Sequence, residues 1–373
     1  MKTSTKDARI LKPLISLKEA GTPSLRILLL SHYFYPEIGG IEVNSEIYAR
    51  AFAAAGHDVH LLTWSVIDTE VPFPFTVVRN PSNSALFKEH AWADIVFENN
   101  PCLRMAWPGL FFGRPSVVSM NTELYRTSSS GWFSMRWVKR AWLWRTGAVI
   151  SVSDALRKQF WPAASVIGNP YRAQDFKVLD HISRTDNFVF LGRLVSQKGA
   201  DLAVEAFHCV LAKLAERDPG APRPTLTIIG DGPERANLEQ QVAALHLGNY
   251  VRFTGFMQGR TLVEELNRHR YLLVPSLYGE AFGNVVLEGM ACGCLPIVSD
   301  SDGLPEAAGR AGLVFRRNDA NALAAAIYYI IHEPVLEMQL REAAPAHLSA
   351  HQPEAVSQRY LQVLEATLPA TAR

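Results

Sequence analysis

Two glutamates eight residues apart, Glu280 and Glu288, flank a glycine-bearing turn in the segment PSLYGEAFGNVVLE. The first stands in a loop after a short apolar run. The second falls one turn into a helix expected to start near Gly283–Asn284. At such a start the N–H groups of Phe282, Gly283, Asn284 and Val285 have no intrahelical partner and form an anion site. A carboxylate before that site can accept hydrogen bonds from sugar hydroxyls, and one on the helix can hold a ribose diol. An ordinary helix start with solvated acids explains one such glutamate well, and the ensemble poorly.

Arg193 and Lys198 stand five apart in GRLVSQKG, a glycine-bounded loop between an apolar run and a helix. Two fixed cations there would meet negative charge growing on a leaving phosphate; solvated surface cations are the alternative. Gly39-Gly40, in SHYFYPEIGGIE, form a second strand-to-helix turn, either simply tight or bare enough for backbone N–H groups to approach a phosphate. Gly230-Asp231-Gly232 begins a dinucleotide fingerprint, but Arg235 occupies its third glycine position, which argues against nicotinamide binding. Asp300-Ser301-Asp302 spells the metal-binding D-x-D, yet it leads into Gly303-Leu304-Pro305-Glu306 and reads as a loop, so no metal is expected. Phosphate-loop, nucleophile-elbow and H-E-x-x-H motifs are absent from the sequence.

These residues need elements to position them. Short apolar runs (Leu25–Leu30, Val59–Thr63, Asp94–Phe97, Ser116–Ser119, Ala148–Val152) alternate with helical stretches (Glu42–Ala55, Leu103–Phe111, Trp132–Trp144), the pattern of a parallel sheet covered on both faces. A polar stretch breaks the rhythm, which restarts at Phe188–Leu191 and continues through Leu313–Phe315. The reading is α/β, two doubly wound Rossmann-like domains facing across a cleft. Residues 1–24 are expected to form a flexible leader, 25–170 the first domain, 171–187 a linker and 188–350 the second domain. From about Asn321 the tail is expected to be helical, divided by Pro334, Pro345 and Pro353. Ligands of open α/β sheets bind outside the strands' carboxyl ends, where the singled-out residues fall.

The 373 residues are long enough for two or three cores, and a net charge of +1 argues against a nucleic-acid binder. Residues 1–168 carry 18 Lys and Arg against 13 Asp and Glu, and the remainder 19 against 23, so the basic excess is upstream. Four cysteines without a C-x-x-C pair, and no secretory or membrane-spanning run, fit a reducing cytoplasm. Trp132–Arg145 holds four of the eight tryptophans among four cations. It reads as a packed helix with snorkelling cations or as a peripheral contact at the inner face of the plasma membrane.

Together these segments resemble the family 4 retaining glycosyltransferases of the GT-B fold. The resemblance runs in order over roughly residues 26–315, from SHYFYPEIGG through SVSDALRKQF, FLGRLVSQKG, IIGDGPER and VPSLYGEAFGNVVLEGMACGCLPIVSD to GLPEAAG. It implies a nucleotide-sugar donor in the downstream domain and a glycan, lipid-linked or small-molecule acceptor in the upstream one, with no metal or cofactor. Arg193 and Lys198 would hold the diphosphate, Glu280 the donor sugar and Glu288 the ribose. Gly39 and Gly40 would approach the diphosphate from the other domain. Gly192, Gly230, Phe256, Met257, Ala281, Phe282, Gly283, Asn284 and Val285 would line the donor. The last segment, residues 351–373, would cross back onto the first domain. Where the family often has a histidine, this chain has Asn121, which can donate a hydrogen bond but cannot become cationic. A GT-B sugar-nucleotide epimerase and a weakly active nucleotide-sugar-binding homologue remain alternatives.

Overall fold

The structure, a computed structural model, describes residues 24–37, 39–67, 71–122, 132–217, 219–220 and 222–369, with no account of side chains 132–136 and 186. The expected leader, but for Ser24, lies outside them. The upstream domain runs β1 (Arg26–Leu30), α1 (Gly40–Ala54), β2 (Asp58–Thr63), β3 (Thr76–Arg79), α2 (Asn83–Trp92), β4 (Ile95–Asn99), α3 (Leu103–Ala106), α4 (Gly109–Phe112), β5 (Ser116–Met120), α5 (Trp132–Arg145), β6 (Ala148–Ser151), α6 (Asp154–Phe160) and β7 (Ser165–Val166). Its strands form one parallel sheet in the order β3-β2-β1-β4-β5-β6-β7.

The downstream domain runs β8 (Thr185–Leu191), a 3-10 turn at Ser196–Lys198, α7 (Ala200–Arg217), β9 (Leu226–Ile229), α8 (Arg235–Ala244), β10 (Val251–Gly255), α9 (Gly259–Asn267), β11 (His269–Val274), α10 (Asn284–Ala291), β12 (Leu295–Ser299), α11 (Leu304–Ala308), β13 (Leu313–Phe315), α12 (Ala320–His332) and α13 (Pro334–Ala350). Its parallel sheet has the order β10-β9-β8-β11-β12-β13. The last helix, α14 (Pro353–Thr367), returns to the upstream domain.

The strands are apolar on both faces because both are covered. In β1, Ile27 and Leu29 meet Tyr48 and Phe52 of α1 and Tyr360 and Leu364 of α14. Leu28 and Leu30 point the opposite way, to Leu86, Met105 and Ala106. This is the two-residue period of a strand turned into two cores. The Tyr360 hydroxyl lies 2.9 Å from Ser119 Oγ, and its ring stacks on Tyr48 at 4.4 Å.

Three expectations are corrected. Residues 171–187 are no free linker. Tyr171 and Phe176 are buried in a core shared by both domains, Asn267 bonds Leu179 N and Lys177 O, and β8 already begins at Thr185. The stretch expected to be one helix over Leu103–Phe111 breaks at Trp107-Pro108 into α3 and α4, because proline cannot donate into a continuing turn. Pro345 does not divide the tail. It is exposed inside α13, so the Arg341 carbonyl it leaves unpaired stands on a solvent-facing turn, while Ala343, Ala344 and Leu348 hold the helix to the core.

Candidate functional site

In the downstream sheet β8 is followed by a crossover to β9 on one side, and its other neighbour, β11, by a crossover to β12 on the opposite side. The chain order reverses between β8 and β11, and the crevice at such a switch point is where open sheets bind ligands. The two loops leaving it are Gly192–Gly199 and the turn before α10. They are joined by a Leu277 N–H bond to the Gln197 carbonyl at 2.8 Å. Gly199 makes the junction feasible: its φ is +67°, and a Cβ there would lie 2.2 Å from the Pro275 carbonyl oxygen.

This junction brings Lys198 and Glu280 into an ion pair, Nζ to Oε1. Ser276 Oγ donates to the same oxygen at 2.8 Å. Glu280 is only 8% exposed, and its Oε2 accepts no bond from the described residues, leaving that oxygen to a ligand hydroxyl. Its loop is shaped by Asp302, whose Oδ2 accepts from Gly279 N at 2.8 Å and Glu280 N at 3.3 Å. Asp300 Oδ1 accepts from Arg317 N. The two D-x-D acids thus bind backbone, and among the described residues no group of His, Cys, Asp and Glu is arranged to hold a metal. Arg193 is exposed and makes no ion pair among the described residues. Behind it Gly192 and Gly230 touch: a Cβ on Gly230 would lie 1.9 Å from the Gly192 carbonyl oxygen.

No side chain caps α10. Gly283 enters it at φ +102°, so the first-turn N–H groups at Asn284 and Val285 are left to a ligand. Phe282 is buried, and Ala281 and Val285 pack against the shared core, which fixes the helix's direction. Glu288, one turn on, is half-buried and has no hydrogen-bond partner among the described residues. Burial raises its carboxyl to about 7; the Arg172 charge opposes that shift and Asp175 adds to it. Beyond β10, Phe256 is 65% exposed and Met257 packs partly into the core.

The upstream domain meets this face directly. A Cβ on Gly40, the first residue of α1, would come 3.4 Å from Asn284 Nδ2, so the Gly39-Gly40 turn faces the start of α10. Asn169 Nδ2 donates to Asn284 Oδ1 at 2.9 Å. Glu306 of α11 accepts from the N–H groups of Asp154 and Ala155 at 2.7 and 3.0 Å, clamping α6 to the downstream domain. Glu42 folds its carboxyl against Gly39, and burial raises its pKa from the ordinary value. Asn121 follows β5, donates Nδ2 to Asn99 Oδ1 at 2.6 Å, and leaves its Oδ1 buried without a partner among the described residues.

Sequence reasoning missed Ser276, Asn169 and Glu306. Ser276 carries a signal, being the first polar residue after β11, but the two interdomain contacts join positions 115 and 152 residues apart. A larger depression of about 1030 Å³ lies at the amino ends of the downstream strands. There Arg252 and Arg268 already pair with Glu265, so it offers no free cation comparable to Arg193.

Two parallel Rossmann-like domains facing across a cleft, closed by a last helix that crosses back, decide the architecture. The fold is GT-B. A solved GT-B neighbour, Anabaena Alr3699/HepE in complex with UDP and glucose, superposes with a TM-score of 0.73 at 18% identity, over 92% of this chain and 100% of that one. Residues 172–347, a span that includes Lys198, Glu280 and Glu288, match the family model glycosyl transferases group 1. The glycogen synthase of Mycobacterium tuberculosis (strain CDC 1551 / Oshkosh) is 26% identical, over 87% of this chain and 91% of its own length. The phosphatidylinositol N-acetylglucosaminyltransferase GPI3 subunit of Saccharomyces cerevisiae (strain YJM789) is 24% identical over 75% and 69%. The domain match and the architecture support a GT-B glycosyltransferase.

Proposed function

We propose that the protein is a retaining, metal-independent glycosyltransferase that moves a sugar from a nucleoside diphosphate to an acceptor hydroxyl, in the assembly of cell-surface polysaccharide or glycolipid. The observation that carries this reading is the Lys198–Glu280 pair beside the uncapped start of α10, facing Gly40 across the cleft. The sugar–phosphate bond breaks with its electrons going to the diphosphate. Arg193, Lys198 and the α10 amides meet that charge, the role a metal plays elsewhere. Glu280 Oε2 would hold the sugar's hydroxyls. A retaining transfer that uses no carboxylate nucleophile would have the acceptor attack from the face the diphosphate leaves. The acceptor's proton then passes to the departing phosphate oxygen. Asn121 would orient a hydroxyl through its Oδ1, which has no partner among the described residues.

A thermal-shift screen with uridine, guanosine and adenosine diphosphates and their sugars, run in chelator, tests the reading. One nucleotide series should raise the melting temperature. The solved neighbour bound to UDP makes uridine the first base to try. Sugar released or rearranged with donor alone would favour the epimerase.

Glu288 gives this site a pH dependence. Its carboxyl stands at about 7 and must be ionised to accept from both hydroxyls of a ribose diol. Donor affinity is therefore expected to be full above pH 7 and to weaken as pH falls, by about tenfold per unit below it. Glu288→Gln should cost about 1–3 kcal/mol of binding and flatten that dependence, as calorimetric titration at pH 6 and pH 8 would show.

A further inference from the structure

We infer that Asn169 and His351 are positioning residues that hold the side-chain amide of Asn284 with its Nδ2 toward the diphosphate, an assignment that rests on the proposed glycosyl transfer. Asn284 opens α10, beside the N–H groups that no side chain caps. Its Oδ1 accepts from Asn169 Nδ2 at 2.9 Å. That leaves Asn284 Nδ2 on the side of Gly40, 3.4 Å from where a Cβ on that glycine would stand. Nδ2 makes no hydrogen bond among the described residues. It is a further donor at the mouth of the anion site, set between the two domains.

The sense of this amide decides its effect. An asparagine that turns its amide over presents a carbonyl oxygen where it had presented two N–H bonds. Toward a diphosphate, the first arrangement repels and the second attracts. The bond from Asn169 holds the attractive one for as long as Asn169 presents a donor.

Asn169 is itself held. The chain crosses between the domains at residues 168–171 and again at 351–352, and the two crossings are tied together. His351 Nδ1 donates to the Asn169 carbonyl at 2.8 Å, Tyr171 N to the His351 carbonyl at 3.4 Å, and Gln352 Nε2 to the Tyr171 hydroxyl at 3.1 Å. A Cβ on Gly168 would lie 2.6 Å from His351 Cε1 and 2.9 Å from Phe282 Cε2. The first crossing is thus wedged between the histidine ring and the side chain that leads into α10. Burial pushes the His351 imidazole down to about 4, so the ring carries one proton, and the carbonyl facing Nδ1 fixes it there. Asn169 is 7% exposed, and its Oδ1 is buried without a partner among the described residues. A half-satisfied buried amide is destabilising, and the bond to Asn284 gives it a role at that position.

Calorimetric titration of the full chain tests this, with uridine diphosphate or whichever of guanosine and adenosine diphosphates gives a larger thermal shift. Asn284→Ala and Asn169→Ala should each weaken binding about fivefold, and the two together no more than about tenfold. Asn169→Asp keeps the shape but can only accept, so it should turn the Asn284 amide over and weaken binding about thirtyfold. In an Asn284→Ala background the same change should add less than about threefold, because no amide is left to turn. A carboxylate acting through its own charge alone would keep its full effect there. His351→Phe should weaken binding about threefold, and His351→Asn, which returns a donor near Nδ1, should restore it. Should the aspartate variant fail to fold, the alanine pair and the His351 rescue carry the test. Wild-type binding with Asn169→Asp no weaker than Asn169→Ala, with equal effects of Asn169→Asp in both backgrounds, with fully additive alanine losses, or with no rescue by His351→Asn would overturn the inference and leave the proposed reaction standing. Failure of the wild type to bind any of the three diphosphates would overturn both.

Discussion

Lys198→Ala is expected to lower kcat by about 10²–10³, the loss typical of removing one preorganised group from developing negative charge. The ammonium lies against Glu280 Oε1 at the switch point, with Ser276 holding the same oxygen. Removing it takes a cation from the diphosphate and also releases the carboxylate that would hold the sugar. Two effects of one substitution imply strong coupling: Lys198→Ala/Glu280→Ala should be much less damaging than the two single losses multiplied together. Arg193→Ala should also reduce turnover, with less effect on the geometry of Glu280, because Arg193 makes no ion pair among the described residues. Steady-state rates of the four variants decide this; turnover unchanged in Arg193→Ala and Lys198→Ala would remove the two cations from the reaction.

Gly199→Ala is expected to cost about 10² in kcat although its side chain would touch no ligand. The residue's φ of +67° is unfavourable for alanine, by about 1–2 kcal/mol. The added Cβ would meet the Pro275 carbonyl oxygen at 2.2 Å, a backbone atom that cannot swing away. The loops after β8 and β11 must then separate, and with them Lys198 and Glu280. A displacement on the order of 1 Å at a catalytic group is sufficient for such a loss. Far-ultraviolet circular dichroism should be unchanged, because the defect lies between loops and spares the strands. Wild-type kinetics in Gly199→Ala would show that the junction does not position the pair.

The second domain was legible because its strands are short apolar runs, three of them, β8, β9 and β10, ending at a glycine. Leu313–Phe315 has the expected bounds, and Phe188–Leu191 is extended at its start to Thr185. Glu280, Glu288, Arg193 and Lys198 all fall at the cleft end of that domain, as their places after strands required. Their mutual geometry was not legible: spacing alone has both cations meeting phosphate, whereas folding turns Lys198 onto Glu280. Less was readable upstream. β3 is a short strand preceded by prolines, α2 is a short helix with no clear apolar stripe, and Pro108 splits a stretch whose composition suits one helix. The sidedness of the tryptophan helix depended on Glu98, a buried acid 44 residues from Trp142 whose partner no local pattern reveals.

Calorimetric titration of the wild-type protein, Lys198→Ala and Glu288→Ala with a nucleoside diphosphate in the presence of chelator tests the central claim most directly. The diphosphate to use is the one giving the largest thermal shift. The wild type is expected to bind one molecule per chain without added metal, and both variants to bind it more weakly. Failure of every nucleoside diphosphate to bind, binding that appears only with a divalent cation, or wild-type affinity in both variants would contradict it.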